Sequence, residues 1–429
     1  MRTSALKYPT SDADHLIKNN TDFSFASGNL KLAASGMREV IATPAIGGSN
    51  PDSTFQRAIA QAFERAARAG QRNPIVVGAI PFDPGEPSCL YVPEEMDWQE
   101  REPASGASAA AMPQLAGQRS VPDEAGFKHA VEHAIINFRL SDVRKAVLSV
   151  MRELTFADDI DVDAMLANLR AQNHDGYQFR VPLPGGGALV GVSPELLIHK
   201  DKGKIVSNPL AGSAKRMADP EADRKNADRL AKSEKDHYEH RLVIEDIRAR
   251  LQPICTELDI PERPSLIHTA ALWHLSTRIE GRLHDPDMTA LQLACLIHPT
   301  PAVCGFPTER ARRLIRFVEP FERGLFTGMV GWSDAEGNGE WVVTIRCGTV
   351  KGNLVRLFAG AGESWKPPAR IPNGPKYRPS LAPCCVPAAF RPETEPLHVF
   401  VFLRIIRRRA ASHCGLENCT RFYFKQNKS

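Results

Sequence analysis

The chain has 429 residues, of which 42% are hydrophobic, so it is long enough to bury the core of one large domain or two. Its formal charge of +4 is unevenly distributed. Of 54 basic and 50 acidic residues, 12 and 4 lie in residues 363–429, which leaves 42 and 46 in the first 362 residues. The body of the chain is therefore mildly acidic, which argues against a nucleic-acid partner.

The start of the chain and its cysteines predict a cytoplasmic protein without a membrane partner. The opening stretch "MRTSALKYPTSDADH" lacks the apolar core of a secretory signal. The apolar run Leu397–Ile406 is too short to span a bilayer. Nine cysteines show no metal-ligand spacing, so we expect free thiols in a reducing compartment.

Hydrophobic patterning predicts strands and hairpins interrupted by long helices. The first forty residues are weakly patterned. In chain order the later predictions are a buried strand (73–83), a surface loop (101–120), a helix and then a strand carrying Lys145 (126–149), a helix (161–173), a glycine-rich hairpin (177–200), a long charged helix (219–251), a helix (290–297) and strands (328–358). This order predicts an α+β fold rather than an alternating βαβ pattern.

A helix face in "KSEKDHYEHRL" carries Asp236, Glu239 and His240 at positions i, i+3 and i+4. Two carboxylates on one face could hold a hard cation such as Mg²⁺, which prefers oxygen ligands. The competing interpretation is a solvated helix with ion pairs, because Lys235 and Glu239 are also four residues apart. This stretch alone favours the solvated helix.

Two ionisable residues lie in otherwise apolar strands. Glu195 follows a proline in "GVSPELL", and partial burial would raise its pKa and make it a general acid. Lys145 begins "KAVLSV", and burial would lower its pKa and make it an amine base. A water-facing edge glutamate and an outward-reaching lysine are the alternatives.

Anion-binding elements come from an arginine and two glycine-containing segments. Arg346 lies in the apolar strand pattern "VVTIRC", where a buried guanidinium needs an anionic partner. "PLAGSAKR" and "FAGAG" predict glycine turns whose backbone N–H groups can face an anion. His274 in "LWHLST" is compatible with a core histidine. These residues suit a magnesium-dependent reaction on a small polyanionic acid, without identifying it.

Several motifs together resemble the chorismate-utilising enzymes. In order they are "GVSPELL", "NPLAGSAKR", "SEKDHYEH", "LWHLST", "HPTPAVCGFP", "GWSDAEGNGEWVVTIRC" and "VRLFAGAG". With "IVVGAIPFDP" near the start, the likeness is greatest to isochorismate synthases of siderophore-type pathways and covers roughly residues 20–362. The resemblance implies an α+β fold with a two-layer antiparallel β-sheet core wrapped by helices. It also implies chorismate as substrate, Mg²⁺ as cofactor and, commonly in this subgroup, a monomer.

The resemblance also implies roles for individual residues. Lys145 resembles the base that activates water for attack at ring carbon C2, and Glu195 the acid that protonates the departing C4 hydroxyl. Glu239 resembles a Mg²⁺ ligand. Substrate contacts are implied for Gly212, Ser213, His274, Arg346, Gly360, Ala361 and Gly362. The chain departs from the family at Val150, where a basic residue is common.

The larger departure begins after Gly362. The family continues "IV", a Ser/Pro-rich turn and a helix starting "EWxE", whose second Glu is the other Mg²⁺ ligand and whose later Lys contacts substrate. The chain instead has "ESWKPPARIPNGPKYRPSLAPCC". This stretch can be back-translated into codons with suitable third bases. When those codons are read in the frame that starts one base earlier, they encode "GIVEASSPDSEWAEVSAKLGTML". We therefore predict three segments: residues 1–20, a catalytic domain of residues 21–362, and an aberrant, disordered tail of residues 363–429 produced by a frameshift or a sequencing error.

Two other functions remain open from the sequence. Salicylate synthase shares the water-activating base and differs by eliminating pyruvate, whereas anthranilate synthase uses ammonia and is disfavoured by Lys145. A catalytically inactive remnant is the third interpretation, because the altered end of the chain lacks the second carboxylate.

Overall fold

A computed structural model describes residues 23–101, 112–172 and 175–364, with the backbone alone for 171–172 and 361–364. Its first eleven strands are β1 (Phe23–Ser27), β2 (Leu30–Ser35), β3 (Glu39–Ile41), β4 (Ile75–Ile80), β5 (Cys89–Val92), β6 (Glu95–Glu100), β7 (Leu115–Val121), β8 (Lys145–Phe156), β9 (Tyr177–Pro182), β10 (Ala188–Ser193) and β11 (Leu196–Asp201). The others are β12 (Lys204–Asn208), β13 (Leu210–Lys215), β14 (Cys255–Asp259), β15 (Ser265–His268), β16 (Leu272–Ser276), β17 (Ile279–Leu283), β18 (Gly305–Phe306), β19 (Met329–Asp334), β20 (Gly339–Val343), β21 (Cys347–Lys351) and β22 (Leu354–Ser364).

The helices are amphipathic and lie on the outer faces of the sheets. They are α1 (Thr54–Arg68), α2 (Glu124–Leu140), α3 (Val162–Gln172), α4 (Pro220–Lys232), α5 (Glu234–Leu251), α6 (Ala290–Ile297) and α7 (Thr308–Val318). The long charged helix expected over 219–251 is thus two helices. Ser233 breaks it, because its backbone is extended and its hydroxyl accepts the Asp236 N–H as the N-cap of α5.

Two large antiparallel sheets and a small one make up the described part. The first has the strand order β18-β8-β22-β21-β10-β9-β1-β2-β6, with β7 also paired to β8. The second has the order β14-β17-β12-β11-β20-β19-β4-β5-β3, and the small sheet is β13-β16-β15. This confirms the predicted α+β class with a two-layer antiparallel core.

The core between the two large sheets follows from strand alternation. On β4, Ile75, Val77 and Ala79 face the interlayer cluster that contains Phe23 and Phe25 of β1. Val76 and Ile80 face the opposite way, into a cluster covered by α1, α5 and α6. Outer clusters under α3 and under α2 with α7 cover the other sheet. Helices therefore wrap both layers, as predicted.

Two stretches differ from the sequence predictions. The weakly patterned start contains β1–β3, which span only five, six and three residues and so give a weak alternation signal. The surface loop predicted over 101–120 is wrong at its end, where β7 pairs with β8, although β7 is largely exposed. The five cysteines within the described ranges are all free thiols, as expected. No helix in these ranges is long and apolar enough to cross a membrane.

Candidate active site

Lys145 begins β8 and is 2% exposed, so the outward-reaching alternative is wrong. Its neighbours Ala146 and Leu148 face the opposite side of the sheet and pack beneath α2 and α7. Burial lowers the pKa of the Lys145 ammonium, while the carboxylates of Glu239 and Glu195 oppose this shift. The lysine is thus a buried amine with a depressed pKa.

Glu195 lies in the connection between β10 and β11 and is also 2% exposed. Its backbone is fixed at both ends: its N–H donates to Ser193 Oγ at 3.2 Å, and its carbonyl accepts the Val343 N–H at 3.1 Å. Burial raises the pKa of its carboxyl to about 7. The Leu210 N–H, 3.4 Å from Oε1, and the positive charges of Lys145 and Arg346 lower the pKa but do not cancel this effect. The water-facing alternative is therefore wrong.

Arg346, His274 and Ser213 form one hydrogen-bonded chain. Arg346 Nη2 lies 2.5 Å from His274 Nε2, and His274 Nδ1 lies 2.7 Å from Ser213 Oγ. A guanidinium only donates, so His274 Nε2 must be the acceptor and Nδ1 carries the proton toward Ser213. The Ser213 hydroxyl proton is then available to a further acceptor.

Arg346 is positioned by a turn rather than by the strand predicted for it. It lies between β20 and β21 with φ of 51°, a left-handed backbone that non-glycine residues rarely adopt. The residue is 6% exposed, and its Nε–H has no hydrogen-bond partner among the described residues. A buried donor without a partner is unfavourable, so this N–H marks a place where an acceptor would be stabilised.

The two glycine segments predicted as turns are strands. Gly212 lies in β13 at a register shift between Leu210 and Ser213, with φ of 84°. A Cβ on Gly212 would lie 3.0 Å from the Asp236 Cβ of α5, so only glycine allows this close approach. The bulge brings Ser213 opposite His274.

Residues 360–362 continue β22 opposite β8, with Gly360 across from Ser149, Ala361 from Leu148 and Gly362 from Val147. Directly opposed residues share a sheet face, so the glycines lie on the face of Lys145. A Cβ on Gly360 would lie 3.1 Å from Ser149 Oγ. The absence of a side chain at Gly360 therefore lets its backbone lie close to Ser149 on this face.

Glu239 is buried on α5, which contradicts the fully solvated helix, although the Lys235–Glu239 ion pair of that interpretation is present at 3.2 Å. Glu239 lies close enough to Lys145 to act on its pKa. Within the described ranges, no group of three or more His, Cys, Asp or Glu side chains could hold a metal ion. The described residues alone therefore do not fit a complete Mg²⁺ site.

His240 has a structural partner that the sequence did not indicate. Its Nε2 lies 2.7 Å from Thr277 Oγ1 and its Nδ1 lies 3.1 Å from the carbonyl of Ala211. Burial lowers the pKa of His240 to about 4, so the ring is neutral and fixes α5 against β13. The spacing of Asp236, Glu239 and His240 suggested a metal site and did not predict the hydrogen bonds of His240 to Thr277 and Ala211.

The structure thus brings the sequence-predicted residues into one connected site. Lys145 interacts electrostatically with Glu195 and Glu239, and Glu195 interacts with Arg346. Hydrogen bonds connect Arg346 to His274 and His274 to Ser213, and the backbone of residues 360–362 pairs with β8. A buried carboxyl, a buried amine and a buried guanidinium therefore share one environment.

The sequence of the chain is similar to that of known proteins. The family model described as "Chorismate binding enzyme" matches residues 91–363. The chain is 45% identical over 346 residues to isochorismate synthase EntC of Escherichia coli K12, covering 79% of this chain and 88% of that protein. It is 41% identical over 366 residues to isochorismate synthase DhbC of Bacillus subtilis, covering 82% and 90%.

The fold is also similar to a solved structure. The crystal structure of DhbC from Bacillus anthracis, assigned as a 2,3-dihydroxybenzoate-specific isochorismate synthase, superposes with a TM-score of 0.74 at 40% identity, covering 80% of this chain and 90% of that one. Anthranilate synthase component I from Streptococcus pneumoniae shares the fold at 20% identity and a TM-score of 0.64. The chain belongs to the chorismate-binding enzyme family, and within it to the isochorismate synthases.

Proposed function

We propose that this site converts chorismate to isochorismate by adding water at C2 and releasing the C4 hydroxyl. The observation that carries the proposal is the pair of buried groups with opposite pKa shifts. Burial lowers the pKa of Lys145 and raises that of Glu195 to about 7. An amine that can be neutral and a carboxyl that can be protonated near neutral pH suit a base and an acid.

Lys145 acts as the base in this proposal. Its neutral Nζ takes a proton from water as the oxygen bonds to C2. Because Lys145 is 2% exposed, the ammonium that results is stabilised by the negative charges of Glu239 and Glu195 rather than by bulk solvent.

Glu195 acts as the acid. As the ring double bonds shift, its carboxyl gives a proton to the C4 oxygen, which leaves as water. One water enters and one leaves, so the reaction is an isomerisation. Ionised Glu195 is then stabilised by Arg346 and Lys145 and by the Leu210 N–H.

The substrate is held by the anion-binding side of the site. The unpaired Arg346 Nε–H and its neighbouring fork suit a carboxylate. The Ser213 hydroxyl, with its proton directed away from His274, suits a second acceptor on the ligand. The backbone of residues 360–362 pairs with β8 beside Lys145, so its polar groups are available near the substrate.

Magnesium dependence and a monomeric state remain predictions. The described residues provide Glu239 as a carboxylate toward a cation, and a second carboxylate returns if the codons after Gly362 are read in the other frame. We call that protein, continuing "IVEASSPDSEWAEVSAKLGTML", the frame-restored chain. When bound, Mg²⁺ would neutralise the ring carboxylate of the substrate. We propose that the product feeds 2,3-dihydroxybenzoate siderophore synthesis.

Product analysis tests the proposed function. Purified frame-restored chain is incubated with chorismate and Mg²⁺, and the products are identified by ¹H NMR. We expect an equilibrium of chorismate and isochorismate without pyruvate. Salicylate with one equivalent of pyruvate would show a salicylate synthase instead, and unchanged chorismate would contradict the proposed function.

The pH dependence of kcat/KM should reflect Glu195. We expect the activity of the frame-restored chain to fall as pH rises through about 7, because the acid loses its proton above its raised pKa. Activity should also fall at low pH as Lys145 becomes fully protonated. The apparent pKa values of the two limbs of the pH profile describe the coupled pair of Lys145 and Glu195 rather than either residue alone. An alkaline limb near the ordinary carboxyl range, about 4 to 5, would contradict the assignment.

Replacing Arg346 should weaken substrate binding more than turnover. We expect Arg346→Lys to raise KM by about 10- to 100-fold, because a lysine cannot reproduce the planar fork or the contact to His274. Steady-state kinetics of the frame-restored chain measure this. The control is Arg316→Lys, an exposed arginine paired with Asp83. An unchanged KM would exclude Arg346 from substrate binding.

A further inference from the structure

The edge of β8 next to Lys145 lacks a continuous neighbouring strand. On this edge β18 pairs only with Lys145 and Ala146, and β7 pairs from Met151 onward within the described ranges. Because the strand period is two, Val147, Ser149 and Met151 turn their backbone polar groups to this edge. The Val147 N–H still donates to the Cys304 carbonyl at 2.9 Å, so the gap in the ladder begins at the Val147 carbonyl and includes the Ser149 N–H. Buried backbone groups in this gap require other partners.

A buried ion pair fills that gap. The Ser149 N–H donates to Glu319 Oε1 at 2.7 Å, and Arg323 Nη2 donates to the Val147 carbonyl at 2.6 Å. The pair itself joins Arg323 Nη2 to Glu319 Oε1 at 2.6 Å, with side chains 2% and 3% exposed. The two side chains take the place of a strand over this part of β8.

The same guanidinium joins β8 to the segments around it. Arg323 Nη1 donates to the Val303 carbonyl at 2.9 Å and to Thr327 Oγ1 at 3.2 Å. Its plane lies over the Phe82 ring, 4.5 Å from the centroid. Five contacts on one rigid fork fix its position, and a lysine could not make them together.

We propose that Glu319 and Arg323 are positioning residues that hold the start of β8 so that Lys145 stays buried in the site. The proposal rests on the proposed function only in calling Lys145 the base. Neither residue is placed to touch substrate. Their effect passes through the backbone of Val147 and Ser149, two and four residues from Lys145.

The test measures Lys145 itself in the full 429-residue chain. Competitive labelling with an amine-selective acylating reagent across pH, read by mass spectrometry, gives the neutral fraction of Lys145. In Arg323→Lys and Glu319→Gln we expect water to reach Lys145. Because hydration favours the ammonium, the neutral fraction of Lys145 at pH 7.5 should be about threefold smaller. Hydrogen exchange of the peptide containing Ser149 should become faster in both variants.

The matched control is Glu153→Gln. Glu153 is a buried carboxylate on the same strand that pairs with Arg119 and Arg356, eight residues from Lys145. We expect it to lower stability without changing Lys145 labelling. If Arg323→Lys does not fold, Glu319→Gln decides alone. Unchanged Lys145 labelling in the folded variants, or an equal change in the control, overturns the proposal.

Activity separates this proposal from the proposed function. In the frame-restored chain Glu319→Gln should lower kcat with little change in KM, because the substrate contacts are kept. If Lys145 labelling shifts but no chain converts chorismate, the positioning role stands and the proposed function fails. If kcat falls while labelling is unchanged, the positioning role fails and the function stands.

Discussion

The frame-restored chain should convert chorismate at least about 10³ times faster than the 429-residue chain. The second carboxylate and the lysine that the family places on its last helix return in that frame. Losing about 4 kcal/mol of cation-mediated stabilisation corresponds to a rate loss of this size. Both proteins are expressed in parallel, and isochorismate is quantified by NMR at equal concentrations.

Metal controls distinguish a loss of Mg²⁺-dependent activity from a loss of folding. EDTA should abolish the activity of the frame-restored chain, and added Mg²⁺ should restore it. Residual activity of the 429-residue chain should not respond to either. Equal rates in the two proteins would refute the frame hypothesis for activity. Resequencing the DNA across the codons for Gly360 to Trp365 then decides whether the frame change lies in the gene.

Removing either proposed catalytic group should cost about 10²- to 10⁴-fold in kcat. We expect Lys145→Ala and Glu195→Gln in the frame-restored chain to leave KM nearly unchanged, because Arg346 and Ser213 still hold the substrate. Glu195→Gln keeps an acceptor for the Leu210 N–H, so the local backbone is preserved. Single-turnover kinetics with chorismate measure the loss.

The double variant sharpens this test. If both residues serve one proton-transfer reaction, the double loss should be much smaller than the product of the single losses. Lys200→Met is the matched control for burial, because Lys200 is 1% exposed in the second sheet. Activity in Lys145→Ala close to the parent rate would remove Lys145 as the base.

Strand and helix positions with strong periodicity could be predicted from the sequence. The helix at 290–297 and the buried strand near Ile75–Ile80 were confirmed. The break at Ser233 was missed because the charged pattern continues on both sides, although Ser-x-x-Asp is an N-cap signal. The strands β1–β3 were missed because they are too short, at five, six and three residues, for a clear period.

The site could be predicted in part. Glu195 and Lys145 stand out because each is a charge in an apolar strand pattern. Arg346 was noticed for the same reason, but its left-handed turn depends on the sheets that flank it. The pairing of Glu319 with Ser149 joins residues 170 positions apart, so no local pattern could indicate it.

The five hydrophobic clusters of the described part draw on residues no later than Ala359. The reading-frame seam follows three residues further on, where β22 still pairs with β8. The proposed acid and base also precede this seam, whereas the second carboxylate expected for the metal follows it and is present only in the frame-restored chain. We therefore expect the 429-residue chain to behave as a separation-of-function protein, which unfolds cooperatively and binds chorismate but has greatly reduced turnover.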